Sequence, residues 1–119
     1  MNTLHFDGRD VPPYAVYVAA EALIVGNTYF MLHYVDDRQS IPELRPVVFI
    51  GRNLEEEESR SLYFQDAASY IAGVRYDSAT GDGDAEFDSI REGTPFVMEF
   101  ERALDRLLYC SLTRSRNSA

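Results

Sequence analysis

Lysine is absent from this chain, and all eleven of its basic residues are arginine. Schiff-base chemistry and every lysine nucleophile are thereby excluded. Tryptophan is missing too, and a single cysteine, Cys110, leaves no disulfide to form within the chain. One cysteine and two histidines, His5 and His33, are too few for a closed zinc site. The sequence has no Walker-type loop, no dinucleotide fingerprint and no Gly-x-Ser-x-Gly elbow. No cofactor is therefore expected. Long hydrophobic runs are lacking as well: the stretch over 14–25 follows Pro12 and Pro13 and is broken by Glu21, so it falls short of the roughly 20 residues a bilayer requires. The N-terminus has no basic segment followed by an apolar one. The expected setting is a reducing cytoplasm, away from membranes.

What is present describes a folding chain. Its 119 residues are 45% hydrophobic, with eight tyrosines and seven phenylalanines, enough for one core, and one domain is expected. Twenty carboxylates give a net charge of −9, spread unevenly. Residues 1–76 carry −5, residues 77–90 another −5, and residues 91–119 carry +1. Such a surface repels phosphate backbones and anionic lipid, which disfavours nucleic acid and membrane as partners. The two terminal arginines, Arg114 and Arg116, are explained by a helix C-terminus, where cations oppose the negative end of the helix dipole.

Periodicity places the elements. An apolar run ending at Val25, the turn pair Gly26-Asn27 and an alternating stretch over 28–35 predict a hairpin. In the second strand Tyr29, Met31, His33 and Val35 point one way and Phe30, Leu32 and Tyr34 the other, so both faces need covering. Pro42 and Pro46 exclude a helix and suit an extended approach to a short strand over 47–50. Another short strand is expected over 61–64. Asp66 is placed to cap a helical turn over 67–72, with Gly73 in the position of a terminating glycine. The glutamates over 55–58 and the segment 77–88 read as solvated loops.

The C-terminal stretch TPFVMEFERALDRLLYCSLTR admits two readings. In one, a strand over 96–99 runs into a helix that buries Phe100, Ala103, Leu104, Leu107, Leu108 and Ser111, with Arg102, Asp105, Arg106 and Tyr109 opposite. In the other, 96–102 and 106–113 form a hairpin. Helix propensity through residues 101–104 favours the first. The fold expected is α+β and mainly β: a small antiparallel sheet, or a partly open SH3-like barrel, with a C-terminal helix packed on it. The stretch ALIVGNTYFML, with Leu23 three residues before Gly26 and Tyr29 three after, is similar to the entry into small SH3-like barrels. That resemblance covers the middle of the strand-rich body and implies a small barrel without implying an activity.

Candidate sites follow from residue types. Asp77, Asp82, Asp84 and Glu86 could ligate a hard cation. The spacing fails the EF-hand pattern, because the sixth position counted from Asp82 is Phe87 rather than glycine. His33 with Asp36, Asp37 and Asp66 would make a general-base cleft if the fold brought them together. The tyrosines and arginines, types enriched at interfaces, single out Tyr70, Arg75, Tyr76 and Tyr109 as binding residues. The leading expectation is a non-catalytic interaction module that engages a protein partner or its own copy. The alternative is a small-molecule-binding domain or minor hydrolase built around His33.

Overall fold

The computed structural model describes residues 2–55, 60–78 and 85–117. Its frame is one open antiparallel sheet of five strands: β1 (Thr28–Tyr34), β2 (Pro42–Arg52), β3 (Ser61–Asp66), β4 (Phe87–Arg91) and β5 (Val97–Met98), in the spatial order β4-β3-β2-β1-β5. Two helices accompany it, the short α1 (Ala67–Ile71) and the long α2 (Phe100–Asn117). The sheet does not close, so of the two architectures expected the small open sheet is the one formed.

The alternation read in β1 holds. Tyr29 and Met31 join Val47, Phe49, Leu62, Phe64 and Val97 on one face, and this core is covered by Val18, Ala20, Leu23 and Phe96. The covering segment is fastened by polar contacts: the Arg52 guanidinium donates to the carbonyls of Ala20 (2.7 Å) and Leu23 (3.3 Å), and Ile24 N–H donates to the Tyr29 hydroxyl (3.0 Å). Phe30, Tyr34 and Met98 lie on the other face under α2, where the Phe30 and Phe100 rings meet edge to face at 5.3 Å.

The expected hairpin about Gly26-Asn27 is not formed. Residues 20–22 make a 3-10 turn and residues 23–25 an irregular passage, and β1 pairs instead with β2 and β5. The apolar run preceding Gly26 lies across a sheet face instead of extending the sheet. The strand expected over 47–50 is longer than anticipated, and both prolines lie inside it. The reason is parity. Val35 N–H donates to the Ile41 carbonyl and Phe49 N–H to the Asn27 carbonyl, so odd-numbered residues of β2 carry the β1 ladder. Pro42 and Pro46 turn their missing N–H the other way, and β3 pairs with β2 only from Val47 onward, so no bond is lost. Past Phe49 a bulge shifts the register, and Gly51 (φ +154°) sits where a Cβ would meet the Leu54 side chain at 3.0 Å.

The helix reading of the C-terminus is the one realised, and its face is rotated from the one expected. Ala103, Asp105, Arg106 and Cys110 are buried, whereas Phe100, Leu107, Leu108 and Leu112 are exposed. The cause is ionic: Asp105, 2% exposed, is paired with Arg9 (2.8 Å) and Arg102 (3.2 Å), and Arg106 donates to the Pro12 carbonyl and stacks on Tyr109. The N-terminal segment thus holds the polar side of α2 inward. Among the described residues no helix is long and apolar enough to cross a membrane.

Candidate functional site

Two surfaces gather residues able to recognise something. The first is built by the chain turning at the end of β3. Asp66 caps α1 as its sequence position suggests: its carboxylate accepts from Ser69 N–H (2.9 Å), from the Ser69 hydroxyl (2.7 Å) and from Glu86 N–H (2.7 Å). Burial pushes this carboxyl up, and those hydrogen bonds together with Arg45 outweigh it, so its pKa is held below the usual 3.8. At the other end Gly73 (φ +101°) closes the helix, its N–H reaching the Tyr70 carbonyl and Val74 N–H reaching Ser69. This is a Schellman turn, and it needs the left-handed residue that glycine supplies.

The turn throws Tyr70, Arg75 and Tyr76 together. The Arg75 guanidinium donates to the carbonyls of Tyr70 and Val74 (2.8 Å each) and lies 3.9 Å above the Tyr70 ring. Tyr76 packs edge-on to Tyr63 and Phe87 and gives its hydroxyl hydrogen to Glu55. These side chains border a cleft of about 750 Å³ with Gln65 on its floor. Three of the four expected binding residues are therefore neighbours, and Tyr109 stands apart from them on α2.

Gln65 is the member that sequence reasoning missed. It is wholly buried, and its amide nitrogen donates to Ser69 Oγ and the Val74 carbonyl, both at 2.9 Å. The Ser69 hydroxyl spends its own hydrogen on Asp66, and a carbonyl only accepts, so the orientation of the carboxamide is fixed. Its Oε1 has no hydrogen-bond partner among the described residues. The signal available was a glutamine two residues after Tyr63, on the strand face opposite Leu62 and Phe64.

The second surface is the outward side of α2. Leu104, Leu107, Leu108 and Leu112 line a groove of about 960 Å³ whose far wall is residues 6–11. Arg9 pins that wall by reaching Asp105 and Glu101.

The remaining candidates are dispersed. His33 Nε2 lies 3.2 Å from Glu43 on the neighbouring strand. Asp36 binds back to Ser40 and Ile41 across its own turn, the Ser40 hydroxyl first among the groups that hold its pKa below the usual value. The pairing of Asp66 with Val47, and of Val47 with Tyr29, sets His33 four residues and two strands from Asp66. That is about 16 Å of backbone separation, too far for proton transfer within one site. Asp37 sits in the turn after β1.

Asp82 and Asp84 lie outside the described residues, as do Glu56, Glu57 and Glu58. Glu86 and Asp88 face Arg45, at 2.6 and 3.4 Å, and Asp77 borders the tyrosine cleft. No group of three metal-ligating side chains forms among the described residues. Comparison with protein-family profiles, curated protein sequences and solved structures returns no match to this chain.

Proposed function

We propose that this chain is a small, non-catalytic protein-interaction module that pairs with a second copy of itself through the exposed leucine face of α2. The observation that carries the reading is the outward stripe, in which Phe100 is 71% and Leu112 51% exposed, with Leu107 and Leu108 also exposed between them. A helix folded for its own sheet alone would turn that stripe inward.

Charge favours an antiparallel partner. α2 carries Glu101 in its first turn and Arg114 and Arg116 in its last. Pairing two copies about Leu108 sets each Leu104 against the other copy's Leu112, and each Glu101 beside the other copy's Arg114 and Arg116. Burying the exposed parts of Phe100, Leu107, Leu108 and Leu112 on both copies contributes on the order of 8 kcal/mol. Association costs about 4 kcal/mol or more, and each copy carries −9, so the dimer is weak and reversible, with Kd on the order of 1 mM.

Sedimentation equilibrium over a wide concentration range tests this. The expected result is a reversible rise from 13.5 kDa toward twice that mass, abolished by Leu108→Glu, which acts twice because Leu108 meets its own copy on the two-fold axis. A native chain that stays monomeric to about 1 mM, the upper end of weak association, sinks the proposal.

A further inference from the structure

A third cleft, of about 490 Å³, lies between the turn after β1 and the flank of α2. The turn is fastened by its own first carboxylate, since Asp36 accepts from Ser40 and Ile41. Neither Asp36 nor Asp37 lines the cleft, whereas Arg38 from the turn and Arg106 and Arg114 from α2 do. In a chain of net charge −9, a cleft walled by three guanidiniums and no carboxylate is a local reversal of sign.

Three of its groups are short of partners. Arg106 is 5% exposed, and among the described residues its guanidinium makes one hydrogen bond, to the Pro12 carbonyl, and one ring contact, with Tyr109. The carboxylate next to it in the chain, Asp105, is taken by Arg9 and Arg102. Arg106 is thus a buried cation with no counter-charge among the described residues, a condition that costs stability until an anion arrives. Its Nε and Nη1 are not sealed from solvent, so an anion entering the cleft can reach them. The Tyr34 hydroxyl accepts from Cys110 Sγ at 3.9 Å and donates to nothing among the described residues. Burial, ahead of Cys110, holds its pKa above the usual 10.0 against the pull of Arg106, so the phenol keeps a hydrogen to give. Arg38 is exposed at the rim, without a partner among the described residues. Arg114 has contacts of its own and adds positive charge on the far wall.

We infer that this cleft binds a small phosphate monoester. Its dianionic head receives Arg106, Arg38 and the Tyr34 hydroxyl, and its stem lies against Pro13 and Tyr109. A carboxylate is satisfied by a single two-pronged guanidinium, and three cations better match the greater charge and the three terminal oxygens of a phosphoryl group. The size of the cleft suits a small molecule, and the acidic remainder of the chain repels a polyanion such as nucleic acid. The negative end of the α2 dipole acts within the last turn, and Arg106 lies ahead of it.

Titration of the full chain with phenyl phosphate, followed by its amide signals in nuclear magnetic resonance at about pH 7.5, where the ester is a dianion, tests the inference. The chain is held at about 50 µM, well below the Kd of the dimer, because Arg114 is also set beside the other copy's Glu101 there. Saturable shifts centred on residues 38–41 and 106–114 are expected, with Kd on the order of 1 mM. Benzoate should bind about tenfold more weakly, and benzyl alcohol should not saturate. Arg38→Gln, on the exposed rim, should weaken phenyl phosphate about fivefold, and Arg106→Met at least tenfold. Far-ultraviolet circular dichroism verifies folding, and if Arg106→Met does not fold, Arg38→Gln decides. No saturation up to about 10 mM, benzoate bound as tightly as phenyl phosphate, or an affinity unchanged in Arg38→Gln overturns the assignment. None of these outcomes bears on the dimer, whose Leu108→Glu variant should bind phenyl phosphate as the native chain does.

Discussion

Replacing Arg9 with methionine isolates the ion pair that orients α2. The Asp105 side chain is 3% exposed, Arg9 26% and Arg102 44%, so the three charges are unequally dependent on one another. Removing one partner of a buried pair costs about 3–5 kcal/mol when the other charge is left without compensation. Here Arg102 remains 3.2 Å from the carboxylate, which lowers the expected cost of Arg9→Met to about 2 kcal/mol. In a chain of this length that is a fall in Tm of roughly 8 °C. Adding Asp105→Leu removes the stranded carboxylate and supplies apolar contact, and the double variant should return to within about 1 kcal/mol of the native chain. Urea unfolding followed by circular dichroism reads both values. If Arg9→Met costs less than about 0.5 kcal/mol, or if the two substitutions simply add, then α2 is oriented by its packing and not by this pair.

Asp66→Ala removes the acceptor for Ser69 and Glu86 and is expected to cost about 1–2 kcal/mol by urea unfolding. The pH dependence has a definite sign: the Asp66 carboxyl is held below its usual 3.8 by the net of its contacts, so its contribution is present above that pH. It is lost as acid carries the solution down through the folded-state value. Asp66→Asn should therefore flatten the fall of the urea midpoint below about pH 4, and an unchanged profile would contradict the capping geometry. Gly73→Ala forces an alanine to φ +101° and should cost about 1–2 kcal/mol, measured the same way. An effect near zero would mean the helix end relaxes out of the Schellman turn.

The elements legible from sequence are those decided locally. Alternation alone assigned the two faces of β1, and Asp66 and Gly73 marked both ends of α1 because caps act within a few residues. Tyr70, Arg75 and Tyr76 could be named together for the same reason, since one turn of chain holds all three. What escaped was decided from afar. The face α2 buries depends on Arg9 at the opposite end of the chain, and an amphipathic pattern read by itself assigns leucines inward and Asp105 outward. The run before Gly26 has the composition of a strand, and its role as a cover is set by Arg52 and Tyr29. Gln65 escaped notice, because its fixed amide depends on Ser69 and Val74 jointly. Tyr109 was grouped with the other tyrosines by residue type, and type carries no address.

The prolines of β2 have a consequence for how copies of this chain can meet. Beyond the reach of β3, the stretch 42–46 presents an open flank in the middle of the sheet, the kind of border on which a stray strand from another molecule can lay itself down. Pro42 and Pro46 supply no N–H there, so an intruding backbone finds Leu44 N–H as a single donor where a growing ladder demands one at every second residue. The short outer strand β5 adds little length to copy, and β4 carries Asp88 and Arg91. Strand-to-strand aggregation is discouraged at these borders, which leaves the side-chain surfaces as the places where another molecule can settle.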